Sequence, residues 1–292
     1  MNDLMFPIEK LGFGCGRIVG GANLKHSAVI LESAYKLGIR HFDLAPSYGF
    51  GTAEDAIGAV FDGDKSIRLA TKVGIARPPS AKSLSILRKY LAPILKSSNT
   101  LKSLALKSLS SQSKRGIFDK ESVEISFNKS LKRLRRTNID YFLLHEPQNH
   151  HISPELTAYC EGLIQQKIVT RIGLGFNFRC EGEIPNFGTV LQNNIGNIFK
   201  HREPVSNYNI VHGVFRSGIS QIDNNLIYHS DIYSKIMALK IDLNIRTNLA
   251  GLALTALNDS YDLMLVSYSD IARMSSTLQV ADKIYQALRQ PL

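Results

Sequence analysis

Four side chains of this sequence have the types and placement for acid–base chemistry. Asp43 lies in a short apolar run, HFDLA (41–45), and Tyr48 follows in a turn marked by Pro46, Gly49 and Gly51. A carboxylate buried in an apolar strand is costly unless it is paired. The stretch therefore asks for a cation for Asp43 and a proton circuit for Tyr48. Lys72 ends the apolar run of IRLATKVG (67–74), and lysines are rarely buried without a reason. His145 closes another apolar run, IDYFLLHEP (139–147). All four sit near the carboxyl end of a strand-like segment, which is where α/β folds put their chemistry. Taken singly they say less: a strand-edge lysine and a strand-end histidine are commonly structural.

The elements that must position these residues can be read in order. LGFGCGRIVGG (11–21) reads as a glycine-spaced strand and loop, without the helix that a dinucleotide fingerprint needs straight after it. A helix is expected from about Ser27 to Leu37, closed by Gly38, and another over Ala53 to Val60. Asp119 can cap a helix whose Val123, Phe127, Ser130, Leu131 and Leu134 form one stripe. Further strands are expected at 139–147, 170–178 (ending at Asn177), 195–202, 209–218 and 263–270. Helices are expected at about 154–167, 183–194, 231–258 and 271–288. The interval from His201 to Ile210 is too short for a full crossover helix. Strand-then-helix units repeated about eight times give a parallel sheet that closes as a (β/α)8 TIM barrel, with one crossover helix missing or shortened near 201–210. No Pro- or Gly-rich linker splits the chain, so residues 1–292 read as one domain. A basic, Ser/Lys-rich loop insertion occupies about 76–116, with 96–115 a candidate lid.

Bulk properties narrow the function. The net charge is +10, yet residues 81–136 alone carry 14 Lys and Arg against three Asp and Glu, so the rest of the chain is nearly neutral. The excess has few aromatics and no nucleic-acid motif, so it reads as a solvated face that also attracts an anionic cofactor. No nucleic-acid partner is expected. No run approaches 18 apolar residues and the first ten residues do not read as a signal peptide, so no membrane is expected either. Three widely spaced cysteines, Cys15, Cys160 and Cys180, suit a reducing cytoplasm and form no metal pattern.

With Asp43, Tyr48, Lys72 and His145 in order, the chain resembles the aldo-keto reductases. HFDLAPSYG followed by AEDAIG is similar to the family's signature after the second strand. ATKVG resembles its lysine strand, SLKRLRRTNIDYFLLHEP the approach to its histidine, and GLIQQKIVTRIGLGFN the approach to its fifth strand. VSYSDIARM resembles the segment that holds the adenosine phosphate. The resemblance implies a (β/α)8 barrel that reduces an aldehyde or ketone to an alcohol with NADPH. It makes Tyr48 the general acid, Lys72 and Asp43 its tuning pair, and His145 the group that orients the carbonyl. A lysine beside a phenol favours the phenolate and lowers its pKa.

The same resemblance puts Gly14 and Cys15 beside the cofactor and Asn177 at its carboxamide. It puts Phe215 to Gly218 near the pyrophosphate, and Ser267, Ser269 and Arg273 at the adenosine end. Arg273 favours NADPH over NADH, because a guanidinium pairs well with a 2′-phosphate. Phe50, Phe118, Asn149 and Phe178 are candidate pocket walls. Three departures stand out. His212 takes the place of the usual stacking aromatic on strand seven, IFKHREPV offers no glutamine for strand six, and Ser267-Tyr268-Ser269 replaces the usual end of strand eight. A barrel that keeps the site but senses NADPH without turning over is the alternative function.

Overall fold

The computed structural model describes residues 5–78, 114–177, 183–195, 207–218, 237–242, 244–257 and 261–289. Its strands are β1 (Leu11–Gly14), β2 (His41–Asp43), β3 (Arg68–Val73), β4 (Ile139–His145), β5 (Val169–Gly175), β6 (Val190–Asn194), β7 (Tyr208–His212) and β8 (Leu263–Val266). They pair in parallel in chain order, and β8 pairs with β1, so the sheet closes as an eight-stranded barrel. The helices are α1 (Leu24–Lys36), α2 (Ala53–Val60), α3 (Lys120–Leu134), α4 (Pro154–Gln165), α5 (Arg246–Leu257) and α6 (Ile271–Arg289).

Alternation along the strands separates two cores. Phe42, Leu69, Phe142, Leu144, Ile172, Leu174, Leu191, Val211, Met264 and Val266 belong to the large cluster that the helices share. Residues of the opposite parity, Ala70, Tyr141, Leu143, Val190, Ile210, Leu263 and Leu265, form a second, smaller cluster inside the ring. Carrying that inward parity two residues further along each strand reaches polar groups: Lys72 on β3, His145 on β4, Gln192 on β6 and His212 on β7. Asp43 has the same parity on β2. The barrel filling is thus mostly apolar, with His41 at the start of β2 the exception, and it becomes ionisable at the carboxyl ends of the strands.

The helix starts follow their caps. Asp119 accepts the Ser122 amide at 2.8 Å at the start of α3, and Ser153 accepts the Leu156 amide at 3.1 Å before Pro154 opens α4. The region after β5 differs from the expectation. Residues 190–194, VLQNN, are β6 rather than the end of a helix, and residues 183–189 ahead of them are irregular. Of the strand expected at 195–202, all but Ile195 lies outside the described residues. Gln192, Asn193 and Asn194 are all buried and break the apolar signature that marks the other strands. The interval between β6 and β7 becomes 195–207, and most of it, 196–206, lies outside the described residues, as do residues 96–113 of the lid expected over 96–115. The 209–218 segment divides into β7 and a π-helical turn, Val214–Gly218.

Candidate active site

Asp43, Tyr48, Lys72 and His145 meet at the carboxyl end of the barrel. β2 ends on Asp43, which is 2% exposed, and β3 delivers Lys72, 1% exposed, from the neighbouring strand. The Lys72 ammonium has three protons and three acceptors: Asp43 Oδ1 at 2.5 Å, Leu44 O at 2.9 Å and the Tyr48 hydroxyl at 3.2 Å. A buried ion pair is tolerated when its remaining hydrogen-bonding capacity is met in this way. The second Asp43 oxygen accepts a 3.4 Å hydrogen bond from Gln192 Nε2. The rings of Tyr48 and His145 lie edge to face, 6.0 Å apart.

The turn that presents Tyr48 is held by unusual backbone. Gly49 and Phe50 both have φ of 57° within the 3-10 turn Tyr48–Gly51. A Cβ on Gly49 would lie 1.7 Å from Ile18 O, so no other residue fits there. Phe50 takes the left-handed backbone although it is bulky, a strain of order 1–3 kcal/mol. Thr52 ties the turn to the loop after β1: its hydroxyl donates to Gly49 O at 2.7 Å and accepts the Gly20 amide at 2.8 Å.

The electrostatics are those of a dry pocket. Burial opposes the charge on Lys72, but Asp43 and Tyr48 outweigh it and hold the ammonium above its ordinary pKa. Burial pushes the Tyr48 phenol up, and Lys72 pulls it down by less, so the net shift is upward. The lysine acts in the expected direction but does not win in this site. Burial, with Lys72, Arg115 and His212 adding to it, drives His145 well below its usual value, so the imidazole is neutral. Its Nδ1 is buried and has no hydrogen-bond partner among the described residues.

The other expected residues are distributed around the same mouth. Gly14 ends β1, and its carbonyl accepts the Ser267 hydroxyl at 2.6 Å. Cys15 is fully buried, its thiol turned to Phe13 O. Asn177 is exposed, two residues past the end of β5. Phe215 packs on Tyr268 at 5.1 Å in the turn that ends at Gly218. Ser269 and Arg273 are exposed, and Asp270 caps α6 by accepting the Ala272 and Arg273 amides. Phe118 is buried against His151, and Asn149 is exposed in the turn after β4. Phe50 is partly buried beside Tyr48, and Phe178 lies outside the described residues.

One mouth residue departs from what the sequence suggests, and another stands where the sequence puts it. Gln192 supplies the strand-six glutamine that IFKHREPV lacks, and its Oε1 is buried without a partner among the described residues. The signal is present in the sequence, since Gln192 follows the β-formers Val190 and Leu191, but the amides around it mask the strand. His212, read from the sequence in the place of the family's usual stacking aromatic, faces the mouth and donates Nε2–H to Phe176 O at 2.7 Å. The fit to a nicotinamide group rests on these features: unsatisfied polar atoms on Gln192 and His145 at the mouth, with exposed Asn177, Ser269 and Arg273 around it.

The model of the Aldo/keto reductase family matches residues 10–181. A D-threo-aldose 1-dehydrogenase from Pseudomonas sp. is 26% identical over 174 residues, which cover 58% of this chain and 50% of that protein. The chain thus matches about half the length of that curated relative. An aldo-keto reductase from Bacillus halodurans in its holo form superposes with a TM-score of 0.59 at 17% identity, covering 96% of this chain and 91% of the other. A glycerol dehydrogenase from Gluconobacter oxydans gives 0.57 at 15% identity, covering 97% and 93%. At such identities the superpositions speak for the fold alone. The family match spans more than half the chain, and the chain belongs to the aldo/keto reductase family.

Proposed function

We propose that this protein is an NADPH-dependent oxidoreductase that reduces a small aldehyde or ketone to an alcohol, with Tyr48 as general acid. The observation that carries the reading is the contact of one ammonium, Lys72, with both Asp43 and the Tyr48 hydroxyl, at 2.5 and 3.2 Å, below a neutral His145. A bound nicotinamide supplies the hydride. Asn177 and Gln192 would hold its carboxamide, Gly14 and Phe215 to Gly218 would lie along the pyrophosphate, and Ser267, Ser269 and Arg273 would take the adenosine phosphate.

The roles of the protein groups follow from their charge states. The carbonyl oxygen sits between the Tyr48 hydroxyl and His145, which polarise it as hydrogen-bond donors. An alkoxide forming there is more basic than a phenolate, so the proton passes from Tyr48 to the oxygen. A phenol is already protonated at neutral pH and burial leaves Tyr48 so, while the pull of Lys72 against that burial favours release of the proton in the transition state. Lys72 then faces the phenolate left behind and stabilises it, and Asp43 keeps Lys72 charged. General acid catalysis of this kind contributes roughly 10²–10⁴ in rate.

Phe50, Phe118, Asn149 and Phe178 form the substrate wall in this reading. The relative that acts on D-threo-aldose makes aldoses the first substrates to try. The two described thiols, Cys15 and Cys160, are free and buried, which suits the reducing cytoplasm where we place the protein. No described helix is long and apolar enough to cross a membrane.

The test is NADPH consumption with a panel of aldehydes, and NADP+ reduction with aldoses, for the parent and for Tyr48→Phe. Turnover that falls by about 10²–10⁴ in the variant, with NADPH binding retained, is the expected result. Tight NADPH binding without turnover of any carbonyl would instead make the protein a cofactor sensor.

A further inference from the structure

Glu54 is a buried carboxylate that the proton circuit does not touch. It lies in the first turn of α2 and is 1% exposed. Its Oε1 accepts the Thr71 hydroxyl at 2.6 Å. Its Oε2 accepts Arg133 Nε at 2.7 Å and lies 2.7 Å from Arg133 Nη2, which also reaches Ser130 Oγ at 3.2 Å. Thr71 and Ser130 are fully buried, and the Arg133 side chain is 12% exposed. One carboxylate therefore joins α2, which follows the Tyr48 turn, to β3 at the residue before Lys72, and both to α3. The helices meet closely at this point: a Cβ on Gly58 would lie 2.1 Å from Arg133 O.

The placement matters because Thr71 and Lys72 point to opposite faces of β3. The strand is gripped outside the ring by Glu54 through Thr71, and inside it by Asp43 and Leu44 O through Lys72. It cannot roll about its axis without stretching one grip or the other. Apolar residues of similar size would join the helices to the barrel at least as stably as a buried ion pair. What the pair adds is a fixed distance and angle.

We infer that Glu54 is a positioning residue: through Thr71 it sets how closely the Lys72 ammonium approaches the Tyr48 hydroxyl, and so the acidity of the phenol. The inference deepens the proposed function and rests on that reading of Tyr48. The nearest precedent within the chain is the grip of Thr52 on Gly49, which fixes the other partner, Tyr48, from its own side.

Thr71→Val removes the hydroxyl at nearly constant volume and leaves the Glu54–Arg133 pair intact, and Thr71→Ser restores the hydroxyl. Three readouts are taken on the full chain: ultraviolet titration of the Tyr48 phenolate, as the difference between each protein and its Tyr48→Phe counterpart; kcat and KM with NADPH and an aldehyde; and the melting temperature. Thr71→Val is expected to raise the Tyr48 pKa by about half a unit to one unit and to lower kcat by about two- to tenfold. KM should stay within about twofold, since the acidity of the phenol bears on the transition state and not on substrate binding. Thr71→Ser is expected to recover both. Glu54→Gln should move the phenol in the same direction, and Thr71→Val carries the test if that variant does not fold. A Thr71→Val protein that melts earlier but keeps the parent titration and kcat would overturn the inference and leave Glu54 a merely structural brace. If the parent turns over no carbonyl, the proposed activity fails, while the Tyr48 titration still decides the positioning role.

Discussion

Lys72 is the residue on which the site depends, because its three protons meet three different acceptors. Lys72→Met leaves Asp43 buried without a cation. Removing one partner of a buried pair costs about 3–5 kcal/mol, and a denaturant titration should show a loss of that size. The more conservative Asp43→Asn should lower stability less, and because the Asp43 charge holds both the Tyr48 phenol and the Lys72 ammonium up, an ultraviolet titration should show the phenol shifted down. At the far end of the mouth, exposed Arg273 carries the NADPH preference in our reading. Arg273→Ala is expected to weaken NADPH about 10- to 100-fold, the worth of a hydrogen bond between charged groups, while NADH affinity stays near the parent value. Equal losses for both cofactors would remove Arg273 from the phosphate site.

At the scale of elements, the Tyr48 turn is the least forgiving part of the fold. Gly49→Ala places a methyl group 1.7 Å from Ile18 O at a φ of 57°. The turn must move, so both stability and turnover are expected to fall; a variant with the parent melting temperature would show that the loop after β1 yields freely. The same physics decides which elements are legible in the sequence. α2 is bounded as Ala53–Val60, as its composition implies, and α3 begins where Asp119 caps it. β3 and β4 stand out because both of their faces are buried. β6 does not, because its inward Gln192 and the flanking Asn193 and Asn194 serve the mouth rather than the core. The polar strand that sequence patterning misreads is therefore one that faces the candidate site. The outward grip of Glu54 on Thr71 leaves no mark in the sequence either, since an acidic residue in a first helical turn already has an ordinary explanation in the helix dipole.

On the whole molecule, buried neutral histidines set the response to acid. His41 lies inside the ring against Tyr141, with neither nitrogen hydrogen-bonded among the described residues. Burial, then Lys72 and Arg68, push its pKa down to about 3. Above pH 6.5 it is neutral whether the chain is folded or not. Between about 6.5 and 3 the unfolded chain takes up a proton that the folded chain refuses, so stability falls as pH falls, by about 1.4 kcal/mol per pH unit. His145 and His212 are shifted in the same direction and add to the slope. His41→Leu should flatten the stability profile measured between pH 4 and 6.5, and an unchanged slope would show that His41 already has a partner in solution. The closed ring has a consequence for synthesis. The four candidate residues are all translated by residue 145, but β1 finds its second neighbour only when residues 263–266 arrive. During translation the emerging chain therefore carries all four before the ring can close. Of the eight barrel strands, β8 emerges after the other seven and closes the ring.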